Sequence, residues 1–236
     1  MNIIITGASR GIGRETAKIF AANKKNLIIV ISRSKDKLQS LKTECRDKEA
    51  GEIIPLVTDL ENIKKNEKKI YDFVIKHMKS VDILINNAGF LQKALFSETS
   101  GDTARRTFNI NFFAPAQLIK LLLPLMGKEK RSHVINISSM GAVQGSAKFP
   151  GLSYYSASKA AIANLTECLA EEYKEQNIAF NCLALGSANT EMFNEAFPGY
   201  KAAVTAQEMA VLISDFAVKG QKFFNGKIIP VSGNTP

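Results

Sequence analysis

Tyr155 and Lys159 close the segment Tyr155-Ser156-Ala157-Ser158-Lys159. On a helix, four-residue spacing puts this phenol and ammonium on one face. A nearby cation favours phenolate and draws the tyrosine pKa toward the working pH, which suits a general acid that protonates an oxygen gaining charge. Alone, the pair is common and describes a surface contact equally well. A second candidate lies at the N-terminus, in Thr6-Gly7-Ala8-Ser9-Arg10-Gly11-Ile12-Gly13. Gly7 permits a sharp turn, Gly11 lets backbone approach a pyrophosphate, and Gly13 allows close helix–strand contact. The following helix N-terminus offers free N–H groups to phosphate. The spacing is G-x-x-x-G-x-G rather than G-x-G-x-x-G. The glycines alone also fit a plain turn; their place between a strand and a helix favours nucleotide binding.

Choice of nucleotide is read at the end of the second strand. A carboxylate there accepts from a ribose 2′-OH, whereas a 2′-phosphate needs cationic donors. The chain offers Ser32-Arg33, with Arg10 in the glycine loop, and Asp36 comes three residues after Arg33, at a helix start. The two arginines predict NADP(H). The alternative is a pair of surface arginines near a helix start.

These residues need a frame. Ile3–Thr6, Leu27–Ser32, Ile53–Thr58, Asp82–Asn86, His133–Ser138, Ile178–Ala184 and Gly226–Val231 read as strands, several apolar without alternation, as in strands buried on both faces. Helical patterns cover 11–23, 34–48, 62–79, 102–126, 155–175 and 206–218. The alternation predicts an α/β fold, a Rossmann-like three-layer sandwich with one doubly wound parallel sheet of about seven strands and helices on both faces. With 236 residues, 45% of them hydrophobic and 22% charged, one domain spanning 1–236 is expected.

No apolar run approaches the roughly 18 residues that span a bilayer, and no signal-like N-terminus is evident, so no membrane association is expected. Cys45, Cys168 and Cys182 are widely spaced, and His77 and His133 are the only histidines. Reduced thiols in a cytoplasmic protein follow, with no disulfide framework and no metal site. The net charge of +9 gathers partly in Lys64, Lys65, Lys68, Lys69, Lys76 and Lys79. That spacing reads as the solvent face of an amphipathic helix, and no nucleic-acid partner is expected.

The glycine loop, Asn86-Asn87-Ala88-Gly89, Asn111, Ser139 and Tyr155/Lys159 occur in an order that resembles the short-chain dehydrogenases/reductases over essentially the whole chain. The resemblance implies reversible reduction of a ketone or aldehyde to an alcohol with NADP(H). It makes Tyr155 the acid/base, Lys159 a holder of the nicotinamide ribose that depresses the tyrosine pKa, and Ser139 a donor to the substrate carbonyl. Asn111 would fix a water in a proton relay from Lys159. Asn87, Ala88 and Gly89 would line the adenosine ribose, and Asp59 would contact adenine. Arg10 and Arg33 match phosphate-binding positions and Thr190 a carboxamide-binding one. Thr6, Gly7, Ser9, Gly11, Ile12, Gly13 and Gly186 complete the cofactor set. Ser138 and Ser139 point oppositely in a strand, and Ser139, at the strand end, is the family's position. Tyr154 reads as a packing residue or pocket wall, and Asn109 as a polar helix residue.

Two departures from the family pattern stand out. Leu185-Gly186 replaces the usual Pro-Gly, and the loop Gly141–Tyr154 is longer, forming either pocket or surface. In a short lid near 190–205, Phe193, Phe197 and Tyr200 either wall an apolar pocket or staple the lid down. The resemblance also implies a homodimer or homotetramer, with Phe112, Phe113, Leu118, Leu122 and Leu125 as apolar surface on paired helices. The rival readings are a non-catalytic NADPH-binding redox sensor, a sugar-nucleotide epimerase-type enzyme and a nucleic-acid binder.

Overall fold

Ile3, Ile4 and Ile5 have no exposed surface, and strand pleating sends their side chains to alternate sides. Ile3 and Ile5 join Ile28 and Val30 on one face, while Ile4 joins Ile29 and Ile31 on the other. A strand apolar on both faces must be covered on both. The computed structural model describes residues 1–46 and 50–233. Strands β1 (Asn2–Thr6), β2 (Leu27–Ser32), β3 (Glu52–Val57), β4 (Ile83–Asn86), β5 (Ser132–Ser139), β6 (Ile178–Leu185) and β9 (Lys227–Val231) make one seven-stranded sheet, ordered β3-β2-β1-β4-β5-β6-β9. Every pairing is parallel. All strand C-termini therefore share one edge, and the strand order reverses between β1 and β4, where a doubly wound sheet opens a crevice.

Helices α1 (Gly11–Ala21), α2 (Lys35–Glu44) and α8 (Ala206–Lys219) cover the first face through Phe20, Leu38, Leu41 and Ile213. The second face is covered by α3 (Ile63–His77), α5 (Ala114–Leu122) and α6 (Ser153–Glu172) through Ile70, Val74, Leu118 and Ala170. The expected helix over 34–48 ends at Glu44, and residues 47 and 48 lie outside the described residues.

The expected single helix over 102–126 is interrupted. It runs as α4 (Gly101–Phe108), a π-helical turn (Asn109–Phe113), α5 and a 3₁₀ turn (Leu123–Leu125). A π turn inserts a residue into the ladder and redirects the side chains around it, often at functional positions; here it buries Asn111. By length and composition Gly101–Leu125 would suffice to cross a bilayer, so the expectation that nothing could do so fails on those grounds. Its face carrying Leu118, Ile119 and Leu122 is nonetheless packed in the core. For the same reason Leu118 and Leu122 are not available as subunit-contact surface, whereas Phe113 is 55% exposed.

Three short elements were not expected. The strands β7 (Ala188–Asn189) and β8 (Val204–Thr205) pair with each other, and α7 (Glu191–Ala196) lies between them. Thr190 caps α7, its hydroxyl accepting from Phe193 N at 3.2 Å.

His133 lies fully buried in β5. Its Nδ1 is 3.0 Å from Ala217 O, a donor contact to α8, and its Nε2 accepts from Asn181 Nδ2 at 2.9 Å. Both contacts suit the neutral ring, and burial pushes its pKa down to about 4. Since the folded value lies below the unfolded one, the native state takes up fewer protons as pH falls from about 6.5 toward 4, and stability is lost across that window. The shift corresponds to about 3 kcal/mol. Urea unfolding between pH 7.5 and 4 is expected to show this loss in the wild-type protein and a shallower slope in His133→Gln. Parallel slopes would remove His133 as the cause.

Candidate active site

The first part of the crevice is built where β1 meets β4. Gly7 has φ +69°, and a Cβ there would sit 2.8 Å from Ala88 Cα; at Gly13 it would sit 2.4 Å from Asn87 Nδ2. The two loops therefore meet backbone to backbone. Thr6 Oγ1 accepts from Asn87 N at 3.0 Å and Ala88 N at 2.9 Å, and Asn87 Nδ2 donates to Thr6 O at 3.0 Å. Thr6 is buried and braces the loops, and neither it nor Gly13 lines the cleft. Gly7, Ser9, Arg10, Gly11, Ile12, Asn87, Ala88 and Gly89 do line it.

Helix α1 starts at Gly11 with no side-chain cap and no acidic residue in its first turn. Its first N–H groups and partial positive charge are thus open to an anion. Arg33 is exposed beside the cleft. Arg10 instead reaches Glu195 of α7, with Nη1 2.8 Å from Oε1, while Arg33 has no ion-pair partner among the described residues, so the two arginines do not converge here. Asp59 lines the cleft while its Oδ1 accepts from Glu61 N at 3.1 Å, capping a 3₁₀ turn. A glycine cradle that any Cβ would fill, an uncapped helix start and the exposed Arg33 together fit a phosphorylated dinucleotide.

The second part is the wall formed by β5 and α6. Ser138 and Ser139 both border the cleft, but the Ser138 hydroxyl donates to Lys159 O at 2.7 Å, while Ser139, at the strand end, hydrogen-bonds Tyr155. Lys159 Nζ donates to Ile137 O at 2.8 Å and lies 6.0 Å from the Tyr155 ring centroid. Asn111, just behind, uses its whole amide: Oδ1 accepts from Phe90 N at 2.8 Å, and Nδ2 donates to Phe90 O at 2.9 Å and Ser158 Oγ at 3.0 Å. Ser158 Oγ in turn donates to Tyr155 O at 2.7 Å. Asn111 thus positions the Phe90 segment and the start of α6, and it does not line the cleft.

Ser158 and the chain Asn86–Asn136–Thr166, linked at 2.8 and 3.0 Å, escaped the reading of the sequence. The signal for them is a polar residue within an otherwise apolar run, such as Asn136 in β5.

Burial raises the Tyr155 pKa, and its hydrogen bond with Ser139 lowers it by less. The expected depression by Lys159 is therefore not realised in the protein by itself, because the ammonium is directed at a backbone carbonyl. Burial also lowers Lys159 to about 8. Keeping that ammonium charged at pH 7 costs about 3 kcal/mol relative to its ordinary value.

Around the mouth, both readings of the lid aromatics hold together. Phe197 packs against Phe193 at 5.2 Å, Tyr200 at 6.4 Å and Phe149 of the long loop at 6.1 Å between centroids, with Lys93 Nζ 4.8 Å over its ring. The cluster ties the lid to the 141–154 loop, and all five side chains line the cleft. Tyr154 packs on Phe96 at 5.4 Å. Leu185 continues β6 in register with Ser139 and Val231, and Gly186 N donates to Val231 O at 2.8 Å. Gly186 and Thr190 both line the cleft. Among the described residues, no cluster of His, Cys, Asp and Glu could hold a metal ion.

The short chain dehydrogenase family pattern matches residues 1–201. The chain belongs to the short-chain dehydrogenase family. Dehydrogenase/reductase SDR family member 7B of Mus musculus is 34% identical over 193 residues, covering 80% of this chain and 58% of that protein. The chain thus spans less than two thirds of that relative's length. The 3-oxoacyl-[acyl-carrier-protein] reductase FabG of Thermotoga maritima is 29% identical over 245 residues, covering 98% of this chain and 95% of that protein. A solved short chain dehydrogenase from Shigella flexneri 2a, complexed with NADP, superimposes with a TM-score of 0.86 at 25% identity, covering 97% of this chain and 95% of that one.

The Thr6 brace gives a direct test of this family cradle. Thr6→Val keeps the shape but leaves Asn87 N and Ala88 N without their acceptor, which is expected to cost about 2 kcal/mol of stability. Denaturant titration measures it, and a change below about 0.5 kcal/mol would show that the brace is dispensable.

Proposed function

We propose that this protein is an NADP(H)-dependent oxidoreductase that reduces a ketone or aldehyde to an alcohol, reversibly. The observation that carries the reading is the placement of Ser139, Tyr155 and Lys159 on one wall of the cleft that the glycine cradle opens. Arg33, exposed at the end of β2 where no carboxylate stands, supports recognition of a 2′-phosphate.

Gly7, Gly11 and the start of α1 would hold the pyrophosphate, Arg33 the 2′-phosphate, and Asn87 to Gly89 the adenosine ribose. Lys159 would hold the second ribose, and Gly186 and Thr190 the nicotinamide side. Bound there, the reduced cofactor supplies the hydride. The chain's own residues handle the oxygen. Ser139 donates a hydrogen bond to the carbonyl oxygen, and the Tyr155 hydroxyl gives it a proton as charge develops. The Lys159 ammonium, 6.0 Å from the Tyr155 ring centroid, would stabilise the resulting phenolate. Asn111 holds α6 and the Phe90 segment in register with this wall.

Phe149, Phe193, Phe197 and Tyr200 around the mouth favour a carbonyl compound with an apolar substituent, and the acyl substrate in the Thermotoga relative's name points the same way. Self-association through the helical run and α6, and a cytoplasmic setting for three unpaired cysteines, belong to the same proposal.

NADPH oxidation against a panel of alkyl and aryl ketones and aldehydes, run beside NADH, tests the reading. Tyr155→Phe is expected to lower kcat by about 10²–10⁴-fold while leaving the NADPH Kd within about twofold. Full residual turnover would exclude Tyr155 as the acid. Cofactor binding without turnover on any carbonyl would instead favour a redox sensor. Because Lys159 loses its proton above about pH 8, the reduction rate is expected to fall as pH rises through that value. Arg33→Ala should weaken NADPH by about tenfold and NADH little; equal losses would free Arg33 of that role.

A further inference from the structure

Helix α7 turns two carboxylates toward the glycine loop. Glu195 Oε1 lies 2.8 Å from Arg10 Nη1. One turn earlier, Glu191 Oε2 lies 3.7 Å from the point where a Cβ on Gly11 would stand. Residues four apart share a helix face, so the acidic face of the lid rests on the loop whose uncapped helix start attracts anions. Arg10 is the only cation within that loop. Two residues after Glu195, Phe197 anchors the aromatic cluster on the substrate side. The lid segment therefore touches the cofactor loop with one end and the substrate wall with the other.

We propose that Glu195 is a cofactor-discriminating residue that occupies Arg10 as a stand-in anion, so that a nucleotide bearing a 2′-phosphate must draw the arginine away from the lid. The inference rests on the NADP(H) reading above. Arg10 has two suitors: the lid carboxylate and the incoming phosphate. A phosphate with two negative charges, flanked by Arg33, outcompetes one carboxylate whose side chain is 65% exposed. A nucleotide without the 2′-phosphate presents its pyrophosphate to the backbone N–H groups of the loop, offers Arg10 no second dianion, and leaves the lid contact intact. Glu195 thus subtracts from NADP(H) affinity and links occupancy of the phosphate site to release of α7. Glu191 also acts on Arg10 through its charge, more weakly than the hydrogen-bonded Glu195, and adds repulsion that both nucleotides meet at the pyrophosphate.

Calorimetric titration with 2′,5′-ADP and 5′-AMP separates these effects without turnover, since neither probe carries nicotinamide. Glu195→Gln is expected to tighten 2′,5′-ADP by about two- to fivefold in about 20 mM salt, the range of an exposed ion pair, and to leave 5′-AMP unchanged. In about 0.5 M salt the gain should largely vanish, because the pair is already screened. In an Arg10→Ala background the same substitution should do nothing, which closes the double-mutant cycle. No tightening, equal tightening of both probes, or a gain that persists without Arg10 would each overturn the assignment. If the wild-type protein binds both probes equally, the NADP(H) reading falls and takes this inference with it. A clear preference for 2′,5′-ADP with no response to Glu195→Gln overturns the inference alone.

Discussion

The hydroxyl of Thr6 sits at the one place where the sheet changes direction. Its oxygen accepts two backbone N–H groups of the segment leaving β4, at the end of the strand that carries the glycine loop. Parallel strands gather their C-termini at one edge, but nothing in that topology joins the loops leaving them. Thr6 and Asn87 make that join, and the absence of side chains at Gly7 and Gly13 lets it be close. The phosphate cradle, the Asn87–Gly89 segment and the helix start of α1 consequently behave as one surface. Gly89 carries that surface to the catalytic wall, since a Cβ on it would lie 3.5 Å from Lys159 Nζ and 3.6 Å from Asn111 Oδ1.

The wall that carries Tyr155 and Lys159 works against the fold's own preference. Burial disfavours both the phenolate of Tyr155 and the ammonium of Lys159. What retains them is a set of bonds that bind α6 to β5: Ser138 to Lys159 O, Lys159 Nζ to Ile137 O, and Asn136 to Thr166. These ties fix backbone and ammonium before any ligand arrives, so little reorganisation is needed when charge appears on the oxygen.

Much of the frame was legible because buried parallel strands announce themselves as isoleucine-rich runs, and the main strand limits deviate by only a residue or so. The π turn at Asn109–Phe113 was not legible, since its residues are compatible with an ordinary helix and only the demands of Asn111 on Phe90 and Ser158 distinguish it. Strands of two residues, such as β7 and β8, carry no periodicity. At the site, alternation along β5 matches the different bonds of its last two serines, Ser138 to Lys159 O and Ser139 to Tyr155. Spacing could name Arg10 as a phosphate ligand but could not reveal Glu195, 185 positions away, as its partner. Likewise the i to i+4 argument for Tyr155 and Lys159 foresaw their shared wall but not the dominance of desolvation, which is a property of everything packed around them.

The pairing of β7 with β8 closes the lid segment into a loop whose two ends lie side by side. Residues 190 to 203 therefore lie within one parallel β–α–β excursion, tied to the body at Arg10 and Phe149. The part of the molecule that would choose the substrate is thus wired to the part that would hold the cofactor. Rewriting the excursion would change the substrate mouth through Phe193 and Phe197 and, through Glu195, the charge facing the phosphate cradle, so the two specificities would evolve together.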